Sequence, residues 1–97
     1  MFYVYLIIHN PSKAIYIGYT KDLTERLMHH NSGYNLSTKR NEGRWEYAYY
    51  EAFQSKEDAM NREKKLKNNS RGKQELLKRI YNSIQSINHD ETKSGGG

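Results

Sequence analysis

The 97-residue chain has no cysteine and a single proline. Without thiols, neither a disulfide framework nor a thiolate zinc site can hold the fold, and a reducing cytoplasm is the expected setting. Long hydrophobic runs are missing as well. The longest, Phe2 to Ile8, is far short of the ~20 residues that cross a bilayer, and no basic segment precedes it, so neither a membrane span nor a secretion signal is expected. The length leaves no room for a separate specificity domain. What the chain does have is nine tyrosines and an excess of 16 basic over 11 acidic residues, giving a formal charge of +5 and a pI near 9.4. That balance favours a polyanionic partner, although charge alone would equally describe a solvated surface.

Phe2 to Ile8 and Ala14 to Tyr19 are rich in β-branched and aromatic residues and flank the turn-forming Asn10-Pro11-Ser12, which predicts a β-hairpin. Closure about the Asn10-Pro11 peptide would set Tyr5 opposite Tyr16, and any even-numbered loop would keep both on one face. Asp22 followed by Glu25 has capping-box spacing and opens a helix to about Asn31. Leu23, Leu27 and His30 form its inward stripe, with Arg26 roughly 60° to the side. Residues 32–44 have no period and read as a mobile surface loop. Trp45 to Phe53 alternates, with Trp45, Tyr47 and Tyr49 on one side, as a third strand. Ser55 with Asp58 opens a second helix whose inward stripe, Ala59, Glu63 and Leu66, puts a carboxylate at an apolar position. Ser70 caps a third helix, with Leu76, Leu77, Ile80 and Ile84 along one side. The expected fold is α+β, a three-stranded antiparallel sheet flanked by helices in the order β-β-α-β-α-α. A domain over 1–81 is followed by a polar, disordered tail over 82–97.

Tyr3-Val4-Tyr5 and Tyr16-Ile17-Gly18, followed by Arg26, His30-Asn31-Ser32-Gly33 and then Ala59, Arg62-Glu63 and Leu66-Lys67, resemble the GIY-YIG nuclease family in its small single-domain branch. Tyrosine replaces the glycine of the first motif, and the second motif matches outright. Repair members carry a lysine after the second motif where this chain has Tyr19. The likeness spans most of residues 2–80, and ordered motifs at suitable intervals are far more specific than a lone YIG triplet.

The resemblance implies a metal-dependent endonuclease acting on DNA, ahead of RNA, with low sequence specificity and a role in repair or recombination. It implies that Glu63 holds one Mg²⁺ or Mn²⁺ ion, a hard cation that keeps several waters. Tyr16 would be the general base, a phenol needing nearby positive charge for that task. Arg26 would fork onto phosphate oxygens, Tyr5 would orient the water or a phosphate oxygen, and His30 would move a proton or bind phosphate. Lys39, Arg40, Arg44, Lys64, Lys67, Arg71 and Lys73 are the candidate nucleic-acid contacts. His29 and His30 are adjacent rather than four apart, so no helical zinc pair is expected.

Each residue also has a plain structural reading. Tyr5 and Tyr16 could be ordinary strand aromatics, Arg26 a solvated helix residue, and Glu63 half of an i,i+4 pair with Lys67. On those readings the chain is a catalytically silent nucleic-acid-binding module of the same fold. A third alternative is a nuclease part that works only within a larger assembly.

Overall fold

The structure, a computed structural model, describes residues 1–35, 38–40 and 42–88. Strands β1 (Phe2–Asn10), β2 (Ile15–Thr20) and β3 (Arg44–Phe53) form one antiparallel sheet in the order β2-β1-β3. Helix α1 (Leu23–Asn31) lies between β2 and β3 in the chain, and α2 (Lys56–Asn68), α3 (Ser70–Arg79) and α4 (Tyr81–Asn88) follow. No helix among the described residues is long and apolar enough to cross a membrane.

The unbroken apolar run in β1 follows from its central place. Val4 through His9 are buried because the strand has neighbours on both edges and helices on both faces. Val4, Leu6 and Ile8 face α2, α3 and α4 and join Ile17, Ala59, Leu66, Leu76 and Ile80 in the larger core. Each buried Leu or Ile there contributes about 1.5–3 kcal/mol. Tyr5 and Ile7 point the other way and pack with Trp45, Tyr16, Tyr47, Leu23 and Leu27 beneath α1.

The hairpin register differs from the expected one by two residues. Tyr5 stands opposite Gly18, and Tyr16 opposite Ile7. The turn closes about Pro11-Ser12, with Lys13 at φ 68° donating its N–H to the His9 carbonyl at 2.7 Å. A slip of two preserves the face, so Tyr5 and Tyr16 become diagonal neighbours.

β3 departs from simple alternation. Ile7 pairs with Tyr47 but Leu6 pairs with Tyr49, leaving Ala48 as the extra residue of a β-bulge. Trp45 and Tyr47 therefore face α1, whereas Tyr49 turns to the opposite face and packs in the larger core.

The caps of α1 and α2 follow the sequence. Asp22 accepts the Glu25 N–H at 3.0 Å, and Ser55 accepts the Asp58 N–H at 3.3 Å. Asn69, rather than Ser70, caps α3, accepting from the N–H groups of Arg71 and Gly72. The single terminal helix expected from the stripe is two helices, broken at Ile80. Residues 82–88 are not a disordered tail but belong to α4, because Ile84 and Ile87 still pack on the core. The α4 carbonyls of Ile87 and Asn88 accept from Asn10 Nδ2 at 2.8 Å and Lys13 Nζ at 3.2 Å. The rest of the tail reading, 89–97, lies outside the described residues.

Candidate active site

The site forms on the face of the sheet that packs beneath α1, from residues of all three strands and that helix. Glycine at position 18 is what lets it close. An added Cβ would lie 2.5 Å from Tyr5 Cζ, closer still to the Tyr5 oxygen, and 3.0 Å from the Tyr16 ring. The Tyr5 ring thus lies directly over the Gly18 backbone, 6.4 Å from Tyr16, 5.8 Å from His30 and 5.5 Å from Tyr47 between ring centroids. Tyr16 and His30 are closer together, at 5.0 Å.

Tyr5 and His30 are each 1% exposed. The Tyr5 oxygen is 2.7 Å from His30 Nε2, and His30 Nδ1 is 2.6 Å from Thr38 Oγ1. Both ring nitrogens of His30 are engaged inside the protein. This geometry leaves His30 no nitrogen for a phosphate, and its contact with Tyr5 makes it a support for that phenol. Tyr5 is likewise held away from solvent. Burial pushes its pKa up, the neighbouring Tyr16 adds to this, and the charge of Arg26 opposes it. It remains a protonated phenol at neutral pH.

Arg26, half-buried on α1, bears on the whole cluster. Its charge acts on Tyr5, His30 and Tyr47 alike. The Tyr47 hydroxyl donates to the Leu23 carbonyl at 2.5 Å, and burial raises its pKa to about 12.

The His30 pKa falls from 6.5 to about 4, first through burial and then through the charges of Arg26 and His29. Between those values the unfolded chain binds a proton that the folded chain refuses. The contribution is therefore fully present above the unfolded value and is lost as pH falls through this window, by at most about 3 kcal/mol. Thermal melts between pH 7 and pH 4 should show that loss, and His30→Gln should flatten its share of the slope. Equal slopes for the two proteins would refute this assignment.

Glu63 is half-buried at the edge of the α2 stripe, whose members Ala59 and Leu66 are fully buried. Its Oε2 lies 3.2 Å from Lys67 Nζ, and that ammonium sits 5.2 Å from the centroid of the Tyr16 ring. The i,i+4 pair is therefore present, and it bridges Glu63 to the tyrosine cluster. α2 is clamped one residue earlier. Arg62 reaches Glu51 of β3 with Nη2 at 2.9 Å and Nε at 3.0 Å from Oε2, and the Tyr49 hydroxyl donates to that oxygen at 2.6 Å. The hydrogen bond to Glu51 holds the Arg62 pKa up, while burial and the same carboxylate raise Tyr49 to about 12.

Among the described residues no group of three or more His, Cys, Asp or Glu could enclose a metal. One partly accessible carboxylate still suits a Mg²⁺-type ion, which takes one or two carboxylates and fills its other positions with water and substrate phosphate. Glu63 is one such carboxylate, with Lys67 as its present counter-charge.

The candidate nucleic-acid contacts are dispersed. Lys67 reaches Tyr16. Arg44 lines a groove with Leu23, Leu27, Asn31 and Tyr47, Arg40 lies 5.3 Å over the Trp45 ring, and Lys39 is exposed. Lys64 lies on the outer side of α2 beside Lys65 and Asn69, Arg71 pairs with Glu75 at 3.7 Å, and Lys73 is half-buried. Thr38 and Tyr47 were not among the residues singled out from the sequence. Thr38 gives no signal in a stretch of small polar residues, and Tyr47 looks like any strand aromatic.

A model of the GIY-YIG catalytic domain matches residues 1–76. The chain belongs to the GIY-YIG family. This makes it a member of a nuclease family, whose enzymes act on nucleic acid and generally depend on a divalent metal. Its relatives include a UPF0213 protein of Bacillus pumilus, 36% identical over 80 residues, or 82% of each chain. Another, from Streptococcus pyogenes serotype M5, is 34% identical over 87 residues, covering 90% of this chain and 94% of the relative. The solution NMR structure of UPF0213 protein BH0048 from Bacillus halodurans aligns over 90% of this chain and 97% of its own. Its sequence identity is 33% and its TM-score 0.52. This GIY-YIG protein thus shares both sequence and fold with the small UPF0213 members.

Proposed function

We propose that this chain is a metal-dependent endonuclease that hydrolyses phosphodiester bonds in DNA with low sequence specificity, in the service of repair or recombination. The observation that carries the reading is the convergence of Tyr5, Tyr16, Arg26 and His30, with Glu63 joined to them through Lys67. Four structural elements contribute these side chains. An ordinary strand aromatic needs no such company.

Tyr16, half-buried and flanked by the Lys67 ammonium, is the phenol that takes the proton of the attacking water. The planar fork of Arg26 opposes the charge that builds on the phosphoryl oxygens. Tyr5 and His30 act from beneath, Tyr5 accepting from Arg26 and His30 accepting from Tyr5, so that the guanidinium is held before substrate arrives. Glu63 would hold a Mg²⁺ or Mn²⁺ ion, which would supply Lewis-acid polarisation of the phosphate and a more acidic water. Low specificity follows from composition: the candidate contacts are lysines and arginines suited to phosphate rather than to base edges.

The test incubates the protein with supercoiled, single-stranded and branched DNA, in Mg²⁺, Mn²⁺ or chelator, beside Glu63→Ala. Cutting should require metal and vanish in the variant, with DNA binding retained. Equal binding and no cutting under any condition would replace the enzyme reading with the silent binding module.

A further inference from the structure

The buried hydrogen-bond chain that starts at Tyr5 does not end at His30. His30 Nδ1 meets Thr38 Oγ1 at 2.6 Å, and Thr38 Oγ1 lies 3.3 Å from the Asn35 carbonyl oxygen. Thr38 is 0% exposed although it sits in the loop between α1 and β3, and its own carbonyl accepts the Trp45 indole N–H at 2.8 Å.

The Asn35 end of this chain fixes its direction. A backbone carbonyl can only accept, so the Thr38 hydroxyl donates to Asn35. From that end a single polarity satisfies every group. Tyr5 O–H donates to His30 Nε2, and His30 Nδ1–H donates to Thr38 Oγ1. The neutral imidazole must then be the Nδ1–H tautomer. In the other tautomer Nε2 would donate toward the Tyr5 oxygen, and the phenol proton would lose its acceptor.

From this geometry we infer that Thr38 is a positioning residue, which fixes the tautomer of His30 and so turns the Tyr5 proton inward, leaving the phenol oxygen free to accept from and orient Arg26. The inference rests on the role proposed for Arg26 and extends the site into the loop between α1 and β3. Thr38 acts through other groups, two hydrogen bonds from the Tyr5 oxygen. Threonine suits the position because its hydroxyl can accept from one partner while donating to another, within the volume of a valine.

The test reads the tautomer directly. Long-range ¹H–¹⁵N spectra of the full chain, free of metal and nucleic acid, should show His30 protonated at Nδ1, with the signal assigned by its loss in His30→Gln. Thr38→Val should shift His30 toward the Nε2–H form and lower kcat on DNA by about 10- to 100-fold with little change in KM. Thr38→Ser should keep both the tautomer and most of the rate. An Nε2–H imidazole in the wild type would overturn the inference, as would a folded Thr38→Val protein with unchanged tautomer or unchanged kcat. Should the valine variant fail to fold, judged by Trp45 fluorescence, the wild-type and Thr38→Ser spectra still decide. If the protein cuts nothing, the nuclease reading fails, whereas the tautomer assignment stands or falls on its own.

Discussion

Replacing Arg26 with methionine is expected to lower the DNA cleavage rate by about 10²–10³-fold, the loss typical when one preorganised donor to a developing oxyanion is removed. DNA binding should fall far less, because Lys39, Arg40, Arg44 and Lys64 lie elsewhere on exposed surface. Arg26→Lys distinguishes charge from shape. It restores a cation but not the planar fork that can hold Tyr5 and two phosphate oxygens together, so it should recover no more than about tenfold of the loss. The methionine variant has a second signature that needs no substrate. The Arg26 charge is, after burial, the largest cause of the depressed His30 pKa, so the His30 midpoint should rise from about 4 when that charge is removed. An unmoved His30 titration, or a methionine variant that cuts at the wild-type rate, would remove Arg26 from the centre of the site.

The parts of this molecule legible in its sequence are those set by local chemistry. Asp22 and Ser55 announced their helices because an N-cap side chain needs only its own first turn. Tyr5 and Tyr16 could be placed on one face because face membership depends only on parity, which a register slip of two leaves unchanged. The register itself was not legible. It depends on where a short turn closes, and Lys13 in the left-handed region moved the centre one residue along. The bulge at Ala48 was equally hidden, because Tyr47-Ala48-Tyr49-Tyr50 alternates as well with a bulge as without one; the pairing shift between Leu6 and Ile7 reveals it, and Tyr49 then turns to reach Glu51.

The loop expected to be mobile, between Ser32 and Arg44, lies partly outside the described residues, at 36, 37 and 41. Its anchors were not legible: Asn31 and Trp45 exchange two hydrogen bonds across it, at 2.7 and 3.1 Å. Thr38 is driven fully inside. At the far end, Gly43 at φ 84° passes so close to Asn10 that a Cβ would strike its carbonyl oxygen, and the neighbouring Glu42 carbonyl lies 2.7 Å from His9 Nε2. These are long-range pairings of polar side chains with backbone, which leave no periodic trace in a sequence. The candidate site shows the same division. The motif residues were visible from their order along the chain, whereas the groups that support them, Thr38 and Tyr47, became visible only once the chain had folded.

Gly18→Ala is expected to remove both stability and activity through one contact. The new methyl would fall 2.5 Å from Tyr5 Cζ, and the ring has nowhere to retreat, since Tyr16, His30 and Tyr47 surround it. Overpacking of this kind costs about 1–3 kcal/mol, and more where neighbours cannot shift. Any movement of Tyr5 also breaks its 2.7 Å contact with His30, so cleavage should drop with the melting temperature. A double-mutant cycle with Tyr5→Leu separates the two effects. Leucine lacks the ring carbon and oxygen that collide with the added methyl, so Gly18→Ala should cost little stability in that background, giving a coupling energy of about 1–3 kcal/mol. Activity should remain low in both Tyr5→Leu proteins, because leucine offers Arg26 no acceptor and His30 no donor. Strict additivity of the two stability losses would mean that Gly18 is needed for some reason other than making room for the phenol, and the close approach of Tyr5 to β2 would then not be what organises the site.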